Sequence, residues 1–224
     1  MRAYLSYPLE DTSVVWPGEA TVQIRRDTSI EKQGYTSFKT LLPNHHGTHC
    51  DGPRHFNPNG PGLTELELEW FCYDHVAAAD IPMETGRGVT PEDLRPYEDA
   101  VRGAELLLIK TGFCLRRDSD PRAYESHGPY LTPEVCRYLV ESFPKLKAVG
   151  LDFLSVGTPA NHLSRLAHQT LFGCHNGKFI LAIEDMDLRP LFQTGKTPDQ
   201  VLALPLRLVG VDSSQVTVVG QFQD

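Results

Sequence analysis

Residues 21–26, 36–42, 75–80, 105–110, 147–152 and 178–184 are short segments rich in apolar residues that read as strands. A further pair over 206–211 and 215–219, split by Asp212, Ser213 and Ser214, reads as a hairpin. Four Thr-Pro dipeptides mark helix starts, because Thr accepts a hydrogen bond as N-cap and Pro suits the first helical turn, where its missing N–H costs nothing. Thr90-Pro91 opens a short helix, and Thr132-Pro133 opens a longer one with Val135, Leu139 and Phe143 along one face. Thr158-Pro159 predicts a third helix with Leu163, Leu166, Ala167 and Leu171 on its apolar side. The fourth, Thr197-Pro198-Asp199-Gln200, has capping-box spacing.

The strand at 105–110, the helix from Thr132 and the strand at 147–152 follow one another as a βαβ unit does. The expectation is an α/β fold in which helices pack on a mixed sheet. No repeat or long linker divides the 224 residues, so residues 1–224 read as one domain.

Acidic residues outnumber basic ones by 29 to 21, which argues against nucleic acid or an anionic membrane as partner. The longest wholly apolar stretch runs only from Phe179 to Ile183, far short of the roughly 18 residues that span a bilayer. The N-terminal residues lack the apolar core of a signal peptide, so a cytoplasmic location is expected. The five cysteines (Cys50, Cys72, Cys114, Cys136 and Cys174) form no Cys-x-x-Cys pair and read as reduced thiols.

The chemistry concentrates between residues 45 and 55, where four of the nine histidines fall. Gly47, Gly52 and Pro53 exclude a continuous helix there, so the segment is extended or looped. His45, His49, Asp51 and His55 occupy odd positions and project to one side of an extended backbone, while His46, Cys50 and Arg54 project to the other. A straight strand would separate His45 from His55 by roughly 33 Å at about 3.3 Å per residue. The chain must therefore bend at Gly47 and Gly52-Pro53 for His45, His49 and Asp51 to converge on a metal, with His55 behind or beside them. Imidazole and carboxylate without thiolate suit zinc, manganese or iron(II). His46, facing away, reads as an ordinary hydrogen-bonding loop residue, and Cys50 as a small buried one.

More ligands have to come from elsewhere. His168, in the third helix, and Glu184, ending an apolar strand where a lone carboxylate would be costly, are the best candidates, ahead of His162 and His175. Trp16, Phe56, Trp70 and Phe113 could line an aromatic substrate pocket, although large aromatics more often serve the core. No His-Glu-x-x-His, Gly-x-Ser-x-Gly or phosphate-binding loop is present.

Residues 45–56 match the pattern H-x-G-T-H-x-D-x-P-x-H-F throughout, and in this the chain resembles the cyclase family, which includes the bacterial kynurenine formamidases. Similarity continues through Leu5-Ser6-Tyr7-Pro8-Leu9, Trp16-Pro17-Gly18, residues 107–113, residues 130–134, residues 149–156 and Ala203-Leu204-Pro205-Leu206. The resemblance implies a barrel-like mixed sheet flanked by helices, a homodimer or homotetramer, and one or two divalent metals, Zn2+ or Mn2+. By motif position it implies His45, His49 and Asp51 on a first metal and Asp51, His168 and Glu184 on a second, with His55 as catalytic acid/base. The stretch 173–177 departs from the family by lengthening the link between His168 and Glu184, which leaves His175 as a substitute ligand. The activity implied is hydrolysis of N-formyl-L-kynurenine to L-kynurenine and formate. The alternatives are hydrolysis of another small cyclic amide or lactone, as in isatin hydrolases, and a non-catalytic metal-binding or interaction module.

Overall fold

Nine strands of the described residues join in one mixed sheet. In chain order they are β1 (Arg2–Tyr4), β2 (His49–Asp51), β3 (Cys72–Tyr73), β4 (Val76–Asp80), β5 (Leu106–Lys110), β6 (Ala148–Leu151), β7 (Leu181–Glu184), β8 (Gln200–Pro205) and β9 (Ser213–Gln221). They are seen in a computed structural model that describes residues 1–175 and 177–223. The hydrogen-bonded order is β3-β8-β9-β2-β7-β6-β5-β4, with β1 added on β9. The end strands β3 and β4 are separated in the chain only by Asp74 and His75, so the sheet curls until its edges nearly meet. The result is the barrel-like mixed sheet that the resemblance implied: β4, β5, β6 and β7 run parallel, and β2, β3, β8 and β9 pair antiparallel.

The period of two along each strand divides the apolar residues between two cores. Cys50, Leu106, Leu108, Ala148, Leu181, Ile183, Val201, Ala203 and Val218 form one, inside the curl. Leu107, Ile109, Val149, Leu151 and Ala182 face outward and meet the flanking helices. Those helices are α1 (Pro91–Leu94), α2 (Pro121–His127), α3 (Pro133–Ser142) and α4 (Ser164–Leu171), whereas α5 (Arg189–Thr194) packs Leu191 on the inner core. Val135 and Leu139 of α3 and Ala167 and Leu171 of α4 complete the outer core.

Thr90 and Thr132 cap α1 and α3 as expected, the first with a full capping box and the second by accepting from the Val135 N–H. The β5-α3-β6 crossover is present, with β5 and β6 adjacent and parallel. Three expectations need correction. The third helix starts at Ser164, six residues past Thr158, because the Thr158 and Asn161 side chains accept from the nearby backbone of Ala160 and Leu163 and hold the intervening residues in turns. The fourth Thr-Pro opens no helix: Asp199 donates to Gln221 and the chain joins the ladder as β8, with Val201 and Ala203 inward. The partner of β9 is therefore β8, and residues 206–211 form a connection instead of a strand. Periodicity of two won over a local capping signal.

Strands Gln23–Thr28 and Ser37–Leu41, near the expected 21–26 and 36–42, pair as a separate ribbon that is largely exposed on both faces. Among the described residues no helix is long and apolar enough to cross a membrane.

Candidate metal centre

Strand β2 carries the centre. His49 pairs in register with Glu184 on β7, and Asp51 with Ala182, so His49, Asp51 and Glu184 share the outer face of the sheet while Cys50 and Ile183 point into the barrel. The alternation predicted for residues 49–51 holds.

The bend also occurs at the expected residues. Gly47 sits at φ 66°, a left-handed conformation that favours glycine, and a Cβ there would clash with the Leu9 side chain. This turn brings His45 back until its Nδ1 lies 3.0 Å from Asp51 Oδ1. After Gly52, a single turn of 3-10 helix over Pro53–His55 reverses the chain again, and the His55 ring comes to 4.1 Å from that of His45. From the other side, α4 supplies His168, whose Nε2 is 3.7 Å from Glu184 Oε1. Among the described residues, two groups offer ligand atoms within 4.8 Å of one another: His45, Asp51 and His55, and His49, Asp51 and Glu184. Asp51 belongs to both.

Hydrogen bonds fix which ring nitrogen each histidine turns to the cluster. His49 Nδ1 donates to the Gly47 carbonyl at 2.7 Å and His168 Nδ1 to the Ser164 carbonyl at 2.7 Å, so both present Nε2. Glu184 Oε1 accepts from Ser155 Oγ and the Val156 N–H, leaving Oε2 3.3 Å from His49 Nε2. His49 Nε2 and both Asp51 carboxylate oxygens are buried and make no hydrogen bond, their close contacts lying off the bonding direction. A buried carboxylate and imidazole left so would cost several kcal/mol. A divalent cation satisfies all three atoms, and the nitrogen and oxygen donors suit one.

Burial and the neighbouring charges pull the titration of these groups in opposite directions. Burial pushes Asp51 up, yet the adjoining His49 and His45 imidazoles hold it well below the usual carboxylate range. Burial and the Asp51 charge raise Glu184, but His168 and His49 outweigh them and bring it to about 2. Burial lowers His45, and the opposing pull of Asp212 and Asp51 carries it up to about 10. His49 and His168 are raised in the same way, burial being overcome by Asp51 and Glu184 for the first and chiefly by Glu184 for the second.

A cleft of about 210 Å3 opens onto this cluster, lined by His45, His49, Asp51, His55, His168 and Glu184 together with Trp16, Glu19 and Phe56. Two of the four proposed pocket aromatics are thus present, and Phe56 stacks on His168 at 4.6 Å. Trp70 and Phe113 are not in the cleft. Trp70 stacks on Phe179 against the barrel core, and Phe113 is buried against Tyr124. His175 is exposed, as is His162, and neither joins the ligand groups. Of the lengthened stretch 173–177, Asn176 lies outside the described residues. His46 corrects the loop reading: it is buried and neither ring nitrogen has a partner.

Sequence reasoning missed Asp212. Its Oδ2 accepts from His45 Nε2 at 2.9 Å and from His55 Nδ1 at 2.8 Å. The residue sits in what reads as a simple turn, and only the β9-β2 pairing brings it beside the histidines.

Residues 3–158 match the model of the family described as Putative cyclase. The chain belongs to that family. Among its relatives, a kynurenine formamidase of Bacillus cereus is 26% identical over 216 residues, covering 96% of this chain and 94% of its own. A Haemophilus influenzae protein described as uncharacterized is 36% identical over 119 residues, 53% of this chain and 84% of its own. Among solved structures, isatin hydrolase A from Labrenzia aggregata superposes with a TM-score of 0.81 at 22% identity, over 100% of this chain and 94% of that one. A potential metal-dependent hydrolase with cyclase activity gives 0.72 at 20% identity, over 98% and 96%. The chain thus has the fold of cyclase-family metal-dependent hydrolases, with a buried His/Asp/Glu cluster at the foot of its cleft.

Proposed function

We propose that this cyclase-family chain is a metal-dependent amidohydrolase that cleaves N-formyl-L-kynurenine to L-kynurenine and formate. The observation that carries the reading is the unpartnered trio of His49 Nε2 and the two Asp51 oxygens, opening onto a cleft in a chain alignable over 96% of its length with a kynurenine formamidase. In this reading His45, His49, Asp51, His168 and Glu184 hold one or two divalent ions, zinc or manganese. A bound ion supplies an acidified water and positive charge against the formyl oxygen.

The chain's own residues do the rest. His55 Nε2, 3.8 Å from Asp51 Oδ2, takes the proton that water releases on adding to the formyl carbon and returns it to the departing aryl nitrogen. Trp16 and Phe56 clasp the aromatic ring, and with Leu154 they limit water around it. Glu19 lies on the same rim and suits the substrate's ammonium. Assembly is part of the proposal: the exposed ribbon, with Ile24 and Phe38 open to solvent on one face and Leu41 on the other, is a segment that a homo-oligomer would cover.

The overall likeness to isatin hydrolase A favours a second substrate class, the cyclic amide. The test is formate release from N-formyl-L-kynurenine by protein loaded with zinc or manganese, run beside ring opening of isatin. Formate release supports the proposal. Ring opening alone transfers the same centre to lactams, and turnover of neither rejects the hydrolase.

A further inference from the structure

Asp212 touches none of the atoms that would hold a metal, yet it controls two histidines. It stands in the connection leading into β9, where its backbone carbonyl accepts from the Gly52 N–H at 2.9 Å. A Cβ on Gly52 would come within 2.9 Å of that carbonyl oxygen, so glycine is what lets the two segments close. The carboxylate is aimed from its far side as well: Asn44 Nδ2 donates to Oδ1 at 2.7 Å. Oδ2 is left to accept from His45 Nε2 and His55 Nδ1 together. A carboxylate oxygen only accepts, so both of those nitrogens carry protons.

We propose that Asp212 is the positioning residue of this centre, one carboxylate oxygen holding His55 as its Nδ1–H tautomer and His45 with its proton on Nε2. The proposal rests on the hydrolase reading only for its effect on turnover. For His55 the consequence is a lone pair on Nε2, the nitrogen nearer Asp51, which is where a proton carrier needs it. For His45 it is a donor atom at Nδ1, 3.0 Å from Asp51 Oδ1, whereas His49 and His168 offer Nε2. The orientation of a ligand and of a proton carrier therefore comes from a single group, and loosening it disturbs both.

The test is the tautomeric state of His55 in zinc-loaded protein labelled with 15N-histidine, read from long-range 1H–15N correlations in the wild type, Asp212→Asn and Asp212→Glu. The expected wild-type result is a proton on His55 Nδ1 with Nε2 free. In D212N that preference is lost, while D212E restores it in part. With zinc content held equal, D212N lowers kcat on N-formyl-L-kynurenine by 10- to 100-fold, a usual range for losing such an outer partner, with KM changed less than about threefold. A wild-type His55 protonated on Nε2 overturns the proposal without any variant. So does an unchanged His55 tautomer in D212N. If no amide is turned over, the hydrolase reading fails while the tautomer measurement still decides the role of Asp212.

Discussion

Two neighbouring residues at the end of β7, Glu184 and Asp185, belong to buried clusters of opposite design. Asp185 accepts from Arg117 Nε at 2.8 Å and Nη2 at 2.7 Å and from Tyr124 Oη at 2.7 Å, so both its oxygens are occupied. It is also the sole non-glycine residue at positive φ among the described residues, held there by that clamp. Arg117 in turn lies 3.9 Å over the Tyr7 ring. On the other side, Glu184 shares a cluster with Asp51 and His49, in which three polar atoms have no partner. Burial and charge are common to both clusters. What distinguishes them is the carboxylate: both Asp185 oxygens are bonded, although the Tyr7 hydroxyl beside Arg117 has no partner, whereas both Asp51 oxygens are unpartnered and are of the type a divalent ion would satisfy.

Breaking each cluster at its centre gives the sharpest contrast. Asp51→Ala reduces bound metal from stoichiometric to trace by elemental analysis and removes turnover, while circular dichroism of the metal-free protein stays native. His55→Ala keeps its metal and loses about 10²- to 10⁴-fold in kcat, the contribution of a positioned proton carrier. Arg117→Met does the reverse. It strands the Asp185 carboxylate in the interior and lowers unfolding free energy by about 3–5 kcal/mol in urea titrations.

Smaller effects refine the comparison. Metal at about 100 times its Kd raises stability by about 2.7 kcal/mol, visible as a higher melting temperature that chelator reverses and Asp51→Ala abolishes. Metal affinity rises with pH, because the imidazoles must shed protons before ligating. Trp16→Ala raises KM about tenfold, equivalent to about 1.4 kcal/mol, whereas Trp70→Ala leaves KM unchanged and lowers only stability, since Trp70 stacks on Phe179 away from the cleft.

The parts legible from sequence were those written in local pattern. Short apolar runs placed β5 and β6, alternation placed the shared face of His49 and Asp51, and the bends at Gly47 and Gly52-Pro53 followed from the length a straight segment would need. Glu184 stood out because a carboxylate ending an apolar strand is costly unless partnered, and His168 only as the histidine of the expected third helix; the structure brings both beside Asp51 and His49. Asp212 was not legible, since nothing within its own segment distinguishes it from a turn aspartate. Its role arises from pairing between β2 and β9, which are more than 160 residues apart in the chain. Trp70 and Phe113 failed for a related reason: aromatic identity does not tell a cleft wall from a core, and only the curl of the sheet decides it. The false helix at Thr197 shows a capping signal yielding to the ladder beside it.

The central claim is that the Asp51 cluster binds a divalent ion, and crystals grown with zinc, measured at the zinc absorption edge, test it directly. The expected result is an anomalous peak at about 2.0–2.2 Å from His49 Nε2 and from an Asp51 oxygen. A map without a peak there, with His49 and Asp51 joined by an ordinary hydrogen bond, would contradict it.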